Sequence, residues 1–168
     1  GGVRTSVIIV SDASPLINLA RIGALGLLRQ LYGKISIPQA VWHEIVVEGA
    51  GRPGADEVER ADWIETHVVG NASLVQALRE DLDPGEAETI ALGLEIQAGL
   101  LLMDERRGRE SARHLGLSPV GLIGVLIEAK CRGLLPGVRD SLNRLRNEAG
   151  FRLDEALLQR VLEDQGEA

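Results

Sequence analysis

Aromatic residues are scarce in this chain: two Trp, one Tyr and one Phe among 168 residues. The core must therefore be aliphatic, and a base-stacking platform of the kind that displays several aromatics is excluded. Cysteine occurs once, at Cys131. No disulfide can form within the chain, no cysteine pair can hold zinc, and the usage fits a reducing compartment. No apolar run approaches the ~18 residues of a membrane span. The opening stretch, residues 1–6, has no apolar segment of a secretory signal. It reads as a disordered leader or an expression remnant, and a cytoplasmic location is expected. An excess of positive charge is also missing. The net charge is −7, so the chain as a whole is not an electrostatic binder of nucleic acid. Any such binding must use a local basic patch or bound cations.

Several common chemistries lack their residues. His43, His67 and His114 are scattered, with no H-E-x-x-H spacing. No P-loop occurs, and no G-x-G-x-x-G follows the first strand. Ser11 and Ser14 have no evident His–Asp partner for nucleophilic catalysis.

What is present is an alternation of short apolar runs and amphipathic stretches. The length favours one domain, spanning 7–168. Val7-Ile8-Ile9-Val10 is a run of β-branched residues, apolar on both faces, which predicts a central parallel strand. It stops at Asp12, and Ser14-Pro15 reads as the cap and first residue of a helix. Helices are predicted over 15–22 and 24–32, a short strand over 35–37, and a helix opened by Pro38 with Val41 and Ile45 on its buried stripe. The segment 48–54 reads as a loop, 55–61 as a short helix, 63–69 as a strand at or near an edge, and 72–80 as a polar-faced helix. The strongest helix signal follows, with Asp83 as N-cap, Pro84 first, Glu86 third, and Ala87, Ile90, Ala91, Leu94 and Ala98 on one stripe. Leu100-Leu101-Leu102-Met103 is a second wholly apolar strand, ended by Asp104. A basic helix over 105–115, a short strand at 118–120, and helices over 121–132, 137–148 and 154–163 complete the chain. The last stretch, 136–168, reads as a helical extension. Strands alternating with helices imply a mostly parallel sheet covered on both faces.

The two apolar strands share a grammar, since each ends on an Asp. The carboxyl ends of strands in open α/β sheets are where ligands bind. Two helices add acids near a buried edge, Glu44 and Glu86. Carboxylates gathered in one cleft repel, and hard divalent cations with oxygen ligands offset that repulsion. Such ions activate water and stabilise charge on a phosphodiester under in-line attack. Each acid also has a plainer reading. Asp12 could cap its turn, Glu86 could complete a capping box with Asp83, Glu44 could be a solvated flank, and Glu105 could complement a helix dipole. Glu88 shares a face with Glu95, which suggests solvent. Arg106, Arg109 and Arg113 lie on one helical face, either as solvated charge or as a phosphate contact beside the acids. Gly121 and Gly124 read chiefly as allowing close helix–sheet packing.

These motifs together resemble the PIN-domain family. The match runs through Val10-Ser11-Asp12-Ala13-Ser14-Pro15-Leu16-Ile17, Ile37-Pro38 with Val41 and Glu44, residues 82–92, and Leu101-Leu102-Met103-Asp104-Glu105-Arg106-Arg107. It looks most like a subfamily of predicted nucleic-acid-binding proteins from bacteria and archaea. The resemblance implies a Rossmann-like α/β/α sandwich and a ribonuclease dependent on Mg²⁺ or Mn²⁺, acting on single-stranded RNA. It also implies a toxin held by an antitoxin protein, and a homodimer. Carried over by position, the acids are Asp12, Glu44, Glu86 and Asp104, with Asp12, Asp104 and Glu86 as metal ligands. Ser14 matches the hydroxyl that supports the first acid. Ser14, Arg106 and Arg109 are the expected substrate contacts. Two positions depart from the common pattern: Glu86 stands where many members have Asp, and Glu105 where many have a further Asp. A module that binds nucleic acid or protein without cleaving is the alternative.

Overall fold

The computed structural model describes residues 7–168; the reading of residues 1–6 lies outside them. The five strands are β1 (Ile9–Ser11), β2 (Ile35–Pro38), β3 (Ile64–His67), β4 (Leu100–Leu102) and β5 (Pro119–Val120). They form one sheet in the order β3-β2-β1-β4-β5, and every neighbouring pair is parallel. The strand 63–69 is indeed an edge, shortened to β3.

The unbroken apolar runs have a simple cause. Ile9 and Leu102 point into one core, while Val10, Leu101 and Met103 point into another on the opposite face. Alternate side chains of a strand reach opposite faces, so a strand covered on both sides is largely apolar; β1 itself is Ile9–Ser11 with Ser11 buried, and Val7 and Ile8 of the predicted run precede it and are exposed. The larger core is closed by α1 (Ala13–Arg21), α2 (Gly26–Tyr32) and the later helices α8 (Leu122–Cys131), α9 (Arg139–Glu148) and α10 (Glu155–Asp164). The smaller core lies under α5 (Ala72–Leu78), α6 (Pro84–Glu95) and α7 (Arg106–His114). The fold is a three-layer α/β/α sandwich of the PIN, Rossmann-like type.

Three local readings change. The helix after β1 starts at Ala13, so Asp12 holds the N-cap position and Ser14 and Pro15 fall inside the first turn. Pro38 ends β2 rather than opening a helix. The helix α3 (Gln39–Trp42) begins one residue later and runs into a wider π segment, His43–Glu48. A π turn is rare and re-aims the side chains it carries, and this one carries Glu44. The short α4 (Ala55–Arg60) follows. In the segment 136–168, Val138, Leu142, Leu145, Leu158, Val161 and Leu162 belong to the larger core. Glu167 ties its end down by accepting the Val138 and Arg139 backbone N–H groups and pairing with Lys130 at 3.0 Å.

Candidate active site

Crossovers from β1 run through β2 to β3 on one side, and β4 leads to β5 on the other. The direction therefore reverses between β1 and β4, and the crevice beyond their carboxyl ends is where such sheets bind ligands. Asp12 follows β1 directly, and Asp104 stands two residues past β4. The Asp12 backbone N–H donates to the Leu102 carbonyl at 2.9 Å, which locks the two strand ends together.

Asp12 holds the N-cap position, but its side chain makes no capping hydrogen bond to α1, and the residue is only 6% exposed. Burial pushes its carboxyl up to about 8, against the pull of the Ala13 backbone N–H, and Asp83, Glu86 and Glu44 add to the rise.

The two oxygens of Glu86 are placed differently. One oxygen, Oε1, accepts the Asp83 N–H at 3.1 Å, while Asp83 Oδ1 accepts the Glu86 N–H at 2.8 Å. This is a capping box. The other oxygen, Oε2, is buried with no hydrogen-bond partner. Burial pushes the Glu86 carboxyl up to about 7, with Asp83 contributing further. Glu44, on the π segment, is half-buried; burial first, then Asp83 and Glu48, raise its carboxyl above the usual range.

These acids meet over Gly85. A methyl at that glycine would lie 3.4 Å from Asp12 Oδ1, 3.4 Å from Glu44 Oε1 and 3.5 Å from Asp83 Oδ1. The absent side chain leaves a cradle between three carboxylates contributed by β1, the π segment and α6. Asp83, read from the sequence only as a cap, is thus a member of the cluster. The cleft has a volume of about 360 Å³, and Asp12, Ser14, Asp81, Asp83, Glu86 and Glu105 line it with Arg107.

Asp104 stands at the adjoining groove. Its Oδ1 accepts the Leu122 N–H at 2.8 Å and so caps α8, whose own cap residue Gly121 has no side chain to offer. Its Oδ2 is buried and unpartnered. Burial raises its carboxyl, and the Leu122 N–H and then Arg109 oppose the rise. Gly121 is required by this approach, since a Cβ there would lie 2.7 Å from Asp104 Oδ1. Gly124 packs against Val120 as expected.

The other expected residues divide. Ser14 lines both the cleft and the adjoining groove, and Arg109 lines the groove. Arg106 does neither; it is 90% exposed and pairs with Glu110 at 3.1 Å. Arg107 takes its place at the cleft. Glu88 is not left to solvent, because its Oε1 accepts the Ala40 N–H at 3.2 Å in the first turn of α3. Glu105 holds the N-cap position of α7 without a side-chain capping bond and faces both clefts.

The donors are all carboxylate oxygens, and two of them, on Glu86 and Asp104, are buried without partners. That chemistry fits a hard divalent cation. Among the described residues, no three His, Cys, Asp or Glu side chains are already drawn together tightly enough to hold an ion.

An acidic cleft at the switch point of a parallel sheet defines an α/β protein with its ligand site at the strand ends. A family model described as a PIN domain matches residues 8–167, and the chain belongs to the PIN-domain family, whose members are generally nucleases that use divalent metal ions. That match includes the C-terminal helices, beyond the motifs that carried the resemblance. No curated protein matches this chain. Among the described residues, no helix is long and apolar enough to cross a membrane.

Proposed function

We propose that this protein is a divalent-metal-dependent endoribonuclease that hydrolyses phosphodiester bonds in single-stranded RNA. The observation that carries the reading is the meeting of Asp12, Glu44 and Asp83 over Gly85, with Glu86 Oε2 left unpartnered beside them. Asp12, Glu86 and Asp104 would hold Mg²⁺ or Mn²⁺, and Glu44 and Asp83 would complete the acid wall directly or through water. When bound, the ion supplies an activated water and neutralises charge on the phosphate. Arg107, on the cleft wall, and Ser14, where the two clefts meet, offer donors to phosphate oxygens. Arg109 does the same from the groove. Family membership extends the reading to a cytoplasmic, homodimeric toxin neutralised by an antitoxin protein.

The test is a Mn²⁺ titration by calorimetry together with cleavage of a labelled single-stranded RNA. Wild type is expected to bind and cleave. Asp12→Asn/Asp104→Asn is expected to lose the binding heat, and Asp12→Asn alone to cleave about a hundredfold more slowly or worse. Cleavage that survives Asp12→Asn refutes the assignment.

A second reading is a module that binds without cleaving. It is favoured by the lack, among the described residues, of three His, Cys, Asp or Glu side chains placed to hold an ion as they stand, and by the commitment of Asp104 Oδ1 to Leu122. RNA binding that persists in chelator, with no product under any divalent ion, would select it.

A further inference from the structure

Beside the acidic cleft runs a second, larger groove of about 720 Å³ that the sequence did not announce. It lies between α1, α8 and the 150–152 turn ahead of α10. Ser14 and Glu105 line both spaces, so the two are continuous. Asp104, Glu105, Arg109 and Arg152 all line the groove, and Arg109 stands beside Asp104, both reaching the Cβ position of Gly121.

Apolar surface lines the groove as well. Ile123 and Ile127 are one helical turn apart on α8 and face the same way. Phe151, the one phenylalanine of the chain, packs beside the larger core and lines the groove. Arg109 carries an unmet need, because its Nε is buried with no hydrogen-bond partner. Among the described residues, neither Arg109 nor Arg152 has an acidic group within ion-pair distance.

We propose that this groove is a single-strand nucleic-acid subsite. It takes the nucleotide flanking the cleaved bond, with its phosphate on Arg109 and Arg152 and its base laid against Phe151. The inference rests on the nuclease reading of the neighbouring cleft. The composition of the wall selects this ligand. Arg109 beside the acids and Arg152 next to Phe151 offer fixed positive charge to phosphates, while Phe151, Ile123 and Ile127 offer apolar surface to a base. Only an unstacked base can lay its face on a side chain, which selects single strands over duplex. The volume lies within the ~300–1,000 Å³ of ordinary small-ligand sites.

The experiment measures fluorescence anisotropy of the full chain with short labelled oligonucleotides carrying non-cleavable linkages. The probes are single-stranded RNA, single-stranded DNA of the same sequence, and RNA duplex. Arg152→Glu alters an exposed residue and is expected to weaken single-strand binding about tenfold and to flatten its salt dependence by about one phosphate contact. Phe151→Leu keeps an apolar side chain in the core and is expected to weaken binding about fivefold through lost stacking. Mn²⁺ binding by calorimetry should be unchanged in both variants. Equal affinity for the RNA and DNA strands assigns recognition to phosphate and base face; tighter RNA binding adds a 2′-hydroxyl contact; either supports the subsite. Wild-type affinity in both variants, or duplex held more tightly than single strand, overturns it. Weakened binding in the variants, with no cleavage by wild type under any divalent ion, leaves the subsite standing and removes the ribonuclease reading.

Discussion

Asp12 is a carboxyl that the fold holds at a cost. Its pKa is raised from 3.8 to about 8 by burial and by its acidic neighbours. The folded state therefore keeps a proton that the unfolded chain releases above its lower value. Stability attributable to this group falls as pH rises from about 4 to about 8, and the full cost applies above that. Asp12→Asn removes the charge. The variant is expected to melt higher than wild type at pH 8, with the gap closing toward pH 4, in thermal unfolding without divalent ions. Added Mn²⁺ should raise the melting temperature of wild type and not of the variant, because the ion relieves the same repulsion. A gap that does not change with pH would refute the burial argument. At this scale the sequence made Asp12 and Asp104 legible, because an acid ending an apolar strand is hard to explain by propensity. It hid Asp83, whose Oδ1 both accepts the Glu86 N–H and reaches the Gly85 cradle. It set the cap and the acid readings of Glu86 against each other, although only Oε1 is taken by the capping box and Oε2 is left without a partner.

Elements were legible wherever caps and periodicity agreed, as in α6, and less so where phase depends on a single residue. The sequence located the basic helix but not which arginine faces the acids. Successive positions turn by ~100° around a helix axis, so the start at Arg106 turns Arg107 to the cleft and leaves Arg106 to Glu110. The π segment was invisible for a similar reason, since nothing in residues 43–48 marks a widened turn. Close approaches between elements were also unreadable. Gly121 has φ −90°, a backbone any residue can adopt, so its requirement comes from Asp104 alone. Gly121→Ala is expected to push Asp104 off the Leu122 N–H and to destabilise the fold by about 1–3 kcal/mol in urea unfolding. Gly26→Ala, where a Cβ meets nothing within 4 Å, is the control and should cost far less.

Across the whole molecule the layered sheet followed from two strands with no polar face, and the place of the last helices did not. Amphipathic helices near a chain end read the same whether they close a core or meet a partner. Here Leu142, Leu145, Leu158, Val161 and Leu162 enter the larger core. Each such burial is worth about 1.5–3 kcal/mol, so together they rival the ~5–15 kcal/mol by which a domain is stable. A chain ended at residue 135 is therefore expected to show no cooperative thermal transition by circular dichroism. A sharp transition would mean that α9 and α10 are dispensable. The pairing of Val10 with Leu101 carries a further consequence, one of timing. The strand bearing Asp12 leaves the ribosome well before its partner bearing Asp104, and α9 and α10 follow both. A nascent chain that has not yet reached β4 therefore carries its acids unassembled, and the cleft takes shape only once β4 has paired with β1.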